Sequence, residues 1–203
     1  MRNEVIMGDE ISADALDQIF LQARTHNAWL DKPVSEEKLR RLVEIVNMGP
    51  TSANTLPARF IFVQSHKAKQ RLAPHLSEGN REKTMKAPVC AIIGYDLKFY
   101  ENMSKTFPHN PGARSWFEGK EEKIKENAFR NGSLQGAYLI IAARALGLDT
   151  GPMSGFDNAG VDAEFFPDGQ VKSNFLCSLG YGDHSALMPR LPRLSFEEMA
   201  KII

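Results

Sequence analysis

Cysteine is scarce. The 203 residues hold two, Cys90 and Cys177, each inside an apolar run, Val89-Cys90-Ala91-Ile92-Ile93 and Phe175-Leu176-Cys177-Ser178-Leu179. That setting suits buried free thiols; a zinc site or a disulfide framework would need more cysteines or a tight spacing. No partner beside either thiol marks it as an activated nucleophile. Charge of one sign is also missing: 25 basic residues face 25 acidic ones, which argues against a broad surface for nucleic acid or anionic membrane. The most apolar helix-length stretch, Ala137 to Leu148, is broken by Arg144 and too short to cross a bilayer. Residues 1–10 carry acids and lack the apolar core of a signal peptide, so the expected location is the cytoplasm. Repeats and low-complexity tracts are absent, which excludes solenoids and long disordered tails. No Gly-x-Gly-x-x-Gly follows any strand, so a Rossmann dinucleotide site has no support. The length suits one domain, 1–203, around one core.

What is present is a pattern of helices with few strands. Ser12 is placed to cap a helix to about Arg24, with Ala15, Leu16, Ile19, Phe20 and Ala23 on one face. Ser35 caps a second, with Glu36 and Glu37 at the positive end of its dipole and Leu39, Leu42, Val43 and Val46 as the buried stripe. Residues 59–63, 89–95 and 175–180 read as strands, the second buried on both faces. Helices are expected over 67–76, 80–86, 121–146 and 195–202, with irregular chain over 96–118. From Leu134 to Leu146 the long helix is apolar nearly all round, which places it inside a domain or at a large subunit interface. Gly147 supplies its stop. Helices outnumber strands without regular alternation, so the class is α+β.

Polar clusters sit at the ends of these elements. Arg24-Thr25-His26-Asn27 follows the first helix; an arginine holds phosphate well, but alone the cluster reads as a solvated helix end. Gly49-Pro50-Thr51-Ser52-Ala53-Asn54 alone is a turn. Asn80 and Lys83, three apart, share a helix face and could reach one ligand, or simply lie on the surface. Gly151-Pro152-Met153-Ser154-Gly155-Phe156-Asp157 would let a flat ligand approach bare backbone. Arg190 and Arg193 add two cations near the C-terminus.

Taken in order, these pieces resemble the nitroreductase family of FMN enzymes, over roughly Leu16 to Met199. The Pro-Thr-Ser-Ala-Asn loop is similar to that family's Pro-Ser-Ser-x-Asn segment. Asn80-x-x-Lys83 matches an Asn-x-x-Lys pair, and Ala145-Leu146-Gly147-Leu148 with the following glycine loop resembles a third signature. Within the family the chain is most similar to the malonic semialdehyde reductase subgroup. That likeness rests on Ala23-Arg24-Thr25-His26-Asn27, Gly112-Ala113-Arg114-Ser115-Trp116-Phe117, residues 150–157 and Lys172-Ser173-Asn174-Phe175. Many relatives carry a serine and a second cation where this chain has His26 and Asn27, which shifts the weight onto Arg24 and the C-terminal arginines.

The resemblance implies a three-layer α/β/α sandwich with a central, mostly antiparallel sheet, and a homodimer with FMN at the interface. Arg24, Thr25, His26, Asn27 and Arg190 or Arg193 would hold the phosphate. Asn80 would bond the pyrimidine edge of the ring, and Lys83 would place a cation near N1 and O2, where it tunes the potential. Pro152, Met153, Ser154 and Gly155 would lie near N5. Pro50, Thr51, Ser52 and Asn54 would come from the other subunit. NADH or NADPH would be the donor in a ping-pong hydride transfer that needs no catalytic side chain and no metal. A small aldehyde such as malonic semialdehyde would be the acceptor, with Arg114, Trp116 and Phe117 as substrate-binding candidates. Three alternatives stay open: a nitroaromatic or quinone reductase, a non-catalytic flavin-binding protein, and an α+β protein without cofactor.

Overall fold

A computed structural model describes residues 8–203. The first residues read above as lacking a leader, 1–7, lie outside the described ones. Ser12 caps α1 (Ala13–Leu16) by accepting from the Ala15 amide, and the chain continues as a π-helical turn over Asp17–Leu21. The helix stops short of Arg24 because the sheet competes for the backbone: Thr25 bridges Thr150 in parallel, and the His26 amide donates to the Thr150 carbonyl at 3.0 Å. The expected apolar face is only half-buried, and Phe20 is exposed. Ser35 caps α2 (Glu36–Val46) as expected, and its buried residues are Leu39, Leu42 and Val46.

β1 (Ala58–Val63), α3 (His66–Leu72), α4 (Glu78–Lys86) and β2 (Val89–Asp96) follow. Residues 96–118, expected to be irregular, form short helical turns, among them α5 (Met103–Thr106), and pack around buried Phe99, Met103, Ala113 and Phe117. The long helix α6 (Glu121–Ala145) ends as Gly147 takes a φ of 72°. Next come β3 (Asp149–Met153), α7 (Asn158–Phe165), β4 (Val171–Gly180) and a terminal turn, α8 (Phe196–Met199), closed by a Ser195–Glu198 capping box. β3 and α7 escape sequence reading because of their composition. β3 contains Gly151 and Pro152, poor strand formers that are tolerated at a sheet edge. α7 holds Gly160 in its interior.

The four strands run in the order β1-β2-β4-β3 with every neighbouring pair antiparallel. Period-two alternation splits β2 between two cores. Val89, Ala91 and Ile93 join Leu42, Val46, Leu139 and Ala143 from α2 and α6. Cys90 and Ile92 join Leu72 from α3 and Val161 from α7 on the other face. Burying a leucine or isoleucine of this kind stabilises the fold by ~1.5–3 kcal/mol, so both faces must be covered, and the three-layer arrangement follows. Both cysteines are buried and free; burial pushes the Cys90 thiol up to about 12 and raises that of Cys177. Among the described residues no helix is long and apolar enough to cross a membrane.

Along α6 a polar line interrupts the apolar surface. Asn127 accepts from the Thr55 hydroxyl at 3.2 Å, Asn131 from the Ser52 amide at 2.8 Å and Gln135 from the Ala58 amide at 2.8 Å, while the Tyr138 hydroxyl donates to the Pro50 carbonyl at 2.9 Å. These bonds hold the loop that follows α2.

Candidate functional site

The parallel bridge to β3 places Arg24, Thr25 and Asn27 at the sheet edge, where they line a cavity of about 460 Å³ with Arg144, Arg190 and Arg193. None of these arginines has a carboxylate within ion-pair distance among the described residues. They donate to backbone carbonyls instead, and Arg144 Nε is buried with no partner among the described residues. Arg24 donates to Met188, Arg190 to Leu21 at 2.7 Å and Ala23 at 3.2 Å, Arg193 to Leu191 at 2.9 Å, and Arg144 to Ile19 at 3.0 Å. Cations gathered without counter-charge repel one another, and an anion relieves that repulsion. Burial lowers the Arg144 pKa, with Arg190 adding to the effect and Cys177 and Asp149 opposing it. Arg144 was visible in the sequence only as an interruption of an apolar helix; its place in the cavity needed the fold.

His26 does not join its neighbours. His26 is only 2% exposed, beside Asp149, and lines neither that cavity nor its neighbour. Its expected contact with the phosphate is therefore withdrawn.

Asn27 also lines a second cavity, of about 600 Å³, with Trp29, Lys83 and Asp183. Lys83 is half-buried and has no ion-pair partner among the described residues; burial lowers its pKa. Beside it on α4, Asn80 Nδ2 donates to the Gly155 carbonyl at 2.8 Å, and the Ser77 amide donates to the same oxygen at 3.0 Å. A Cβ at Gly155 would stand 2.5 Å from Asn80 Nδ2, and one at Gly151 would stand 2.5 Å from the His26 carbonyl oxygen. Both glycines are thus demanded by close approach. Ser154 is exposed and Pro152 half-buried. The Met153 side chain is buried and accepts from the Thr84 hydroxyl at 3.5 Å, so only its backbone is free to meet a ligand.

The remaining candidates form a separate group. Ala53, Asn54 and Leu56 all have positive φ, of 48°, 49° and 43°, a region costly for side chains and found where the surroundings force it. Ser52 and Asn54 are exposed, with Asn54 Nδ2 donating to the Thr106 carbonyl at 2.7 Å, and Thr51 Oγ1 accepts from the Leu56 amide at 3.2 Å. Ala53 packs into the cluster that holds Ala113 and Phe117. Arg114 and Trp116 are exposed; Arg114 is engaged with Glu118 at 2.6 Å, and that hydrogen bond and charge raise its pKa. Phe117 is buried edge-on against Phe99, at 4.9 Å between centroids. It is a core residue, and the substrate contact expected of it is withdrawn. No residue of this second group lines either cavity of the first.

Comparison with known proteins bears on the whole arrangement. The model of the nitroreductase family matches residues 21–181. A protein of Stenotrophomonas maltophilia with the provisional name NADH dehydrogenase/NAD(P)H nitroreductase is 61% identical over 196 residues, 97% of this chain and 100% of that one. Two solved structures share the fold at low identity. One, provisionally named a nitroreductase, from Bacillus subtilis, has a TM-score of 0.85 at 20% identity, covering 95% of this chain and 100% of that one. The other, from Exiguobacterium sibiricum and similarly named, is in complex with FMN; its TM-score is 0.84 at 19% identity, over 96% and 99% of the two chains. With a sheet of the expected kind, an arginine-lined cavity where the phosphate residues were sought, and a relative of this identity along nearly its full length, the chain belongs to the nitroreductase family.

Proposed function

We propose that this chain is an FMN-dependent NAD(P)H oxidoreductase of the cytoplasm, a homodimer whose acceptor is a small carboxylated aldehyde such as malonic semialdehyde, giving 3-hydroxypropionate. The observation that carries the cofactor is a pair of cavities that share Asn27 in their linings. Arginines without counter-charge stand at one end, the half-buried Lys83 at the other, and Asn27 lines both. That donor set fits a long ligand with a phosphate at one tip and a flat, hydrogen-bonding, electron-accepting ring at the other. The FMN complex from Exiguobacterium sibiricum supports the same reading.

Arg24, Thr25, Asn27, Arg190 and Arg193 would hold the phosphate, with Arg144 supporting them. Asn80 and Lys83 would face the pyrimidine edge. The bare backbone at Ser154 and Gly155 would leave room for the ring to lie close. When bound, FMN takes hydride from NADH or NADPH and passes it to the acceptor in two half-reactions. The protein contributes position, charge and exclusion of water. The loop holding Pro50, Thr51, Ser52 and Asn54 would complete the partner's site. Arg114 and Trp116 belong to the same packed region as that loop, so they would arrive with it, and Arg114 would release Glu118 to meet the acceptor carboxylate.

The names of curated relatives, which include NAD(P)H nitroreductase, favour a second reading, a reductase of nitro compounds, and quinones are tested beside them. Anaerobic titration of the FMN-loaded protein with each nicotinamide, then with malonic semialdehyde, a nitrofuran or a quinone, separates the two. Bleaching by the nicotinamide followed by rapid recovery of the flavin colour with the semialdehyde is the expected result. A flavin that only the nitrofuran or quinone reoxidises removes the aldehyde. A flavin that no nicotinamide bleaches removes the enzyme.

A further inference from the structure

His26 has turned away from the cavity that its neighbours line, and its surroundings call for an explanation of their own. The ring lies edge-on to His184, with centroids 4.9 Å apart, and neither of its nitrogens has a hydrogen-bond partner among the described residues. Asp149 Oδ1 stands 3.2 Å from Nε2, yet the pair makes no hydrogen bond. Asp149 Oδ2 accepts from the Gly182 amide at 2.8 Å and lies 3.9 Å from His184 Nε2. One ligand atom from each of the three side chains falls within 4.8 Å of the others.

We propose that His26, Asp149 and His184 form a binding site for a zinc-like divalent cation that braces the flavin-phosphate segment. Two imidazoles and a carboxylate are the donors such an ion takes. Two ligand atoms on one tetrahedral ion, each ~2.0–2.1 Å from it, stand ~3.3 Å apart with neither on the other's lone-pair axis. The His26–Asp149 pair has that separation without the hydrogen bond that would otherwise account for it. The ligands come from the segment after α1, from the start of β3 and from the turn at 184–186. An ion there joins three pieces of chain around Thr25 and Asn27. The exposed His184 provides the way in from solvent, and water completes the shell.

The site stands whether or not the flavin reading does, so the measurement is metal content and stability, not turnover. Protein as purified and FMN-loaded protein are stripped with chelator and dialysed against micromolar zinc chloride; bound zinc is counted by mass spectrometry and the melting midpoint recorded. One zinc per chain and a midpoint raised by ~5 °C or more are expected from a ligand well above its Kd. His184→Ala removes an exposed ring; it should fold, weaken zinc binding at least tenfold and abolish the shift. Asp149→Asn should do the same if it folds. Cobalt(II) in place of zinc should give ligand-field absorption beyond the flavin bands, lost in His184→Ala. Zinc absent from the parent protein, or held with equal affinity by His184→Ala, overturns the proposal and leaves an ordinary buried histidine–aspartate contact.

Discussion

The two groups of site residues are built on different principles. One chain assembles the first by itself. Arg24, Thr25, Asn27, Asn80, Lys83 and the 151–155 backbone are drawn together by a sheet edge and by two glycines with no room for a side chain. The second, residues 50–54 with Arg114 and Trp116, is held away from those cavities by α6 and by a backbone kept at positive φ. The first group lines cavities formed by one chain. The second packs on its own chain, with Ala53 in the cluster of Phe99, Ala113 and Phe117, yet leaves Ser52, Asn54, Arg114 and Trp116 exposed outside those cavities, the face we propose a second copy meets.

The largest effect should come from breaking the first group at its backbone. Gly151→Ala puts a Cβ 2.5 Å from the His26 carbonyl oxygen, an atom that cannot swing aside. The expected loss is ~1–3 kcal/mol of stability, together with FMN, read as a lower melting midpoint and free flavin fluorescence. Next in size is the phosphate end. Arg24→Gln and Arg190→Gln each remove a guanidinium that has no carboxylate to release. At ~1.5–3 kcal/mol for a charge-assisted bond, FMN affinity should fall roughly 10- to 100-fold for each; unchanged affinity in both would remove the phosphate assignment.

Complementation tests the division between chains directly. Ser52→Trp blocks the second group at an exposed position, and Arg24→Gln combined with Arg190→Gln disables the first. Each variant should be nearly inactive alone. After subunit exchange, about half the dimers are mixed and each carries one intact site, so about a quarter of the parent activity should return. No recovery, with exchange demonstrated, would mean both groups serve the same chain.

Smaller effects follow at the ring end. Burial lowers the Lys83 pKa from its ordinary 10.5. The ammonium therefore carries a desolvation cost at neutral pH, which fades as pH rises from the lowered folded pKa to 10.5 and which an anionic ring would relieve. Lys83→Met should leave the apoprotein midpoint unchanged or higher. It should also make the bound flavin potential ~30–60 mV more negative, equivalent to ~1.4–2.8 kcal/mol for two electrons. Smallest of all is Arg114→Ala. Because Arg114 must give up its exposed partner Glu118, the KM for malonic semialdehyde should rise only severalfold. The KM for an uncharged quinone should stay put, and equal changes in both would end the case for a carboxylate contact.

The sequence by itself determined the elements whose chemistry is local. Ser12, Ser35 and Ser195 cap where their hydroxyls can reach an amide a few residues on. β2 is buried on both faces because its run has no polar side to turn outward. Gly147 ends α6 because a left-handed residue is needed there. The FMN and the family were legible in short motifs at conserved order, and the family is borne out. What the tertiary structure alone decided depends on which way a side chain faces once strands pair. His26 and Phe117 have the chemistry of a site, yet His26 is buried beside Asp149 and His184, and Phe117 in the core against Phe99. Arg144 looked like a flaw in an apolar helix and instead lines the arginine cavity. β3, with its glycine and proline, became a strand only because β4 offered a partner. The separation of the candidate residues was likewise decided by the fold: Arg24, Thr25, Asn27 and Lys83 line cavities of their own chain, and residues 50–54 with Arg114 and Trp116 line neither.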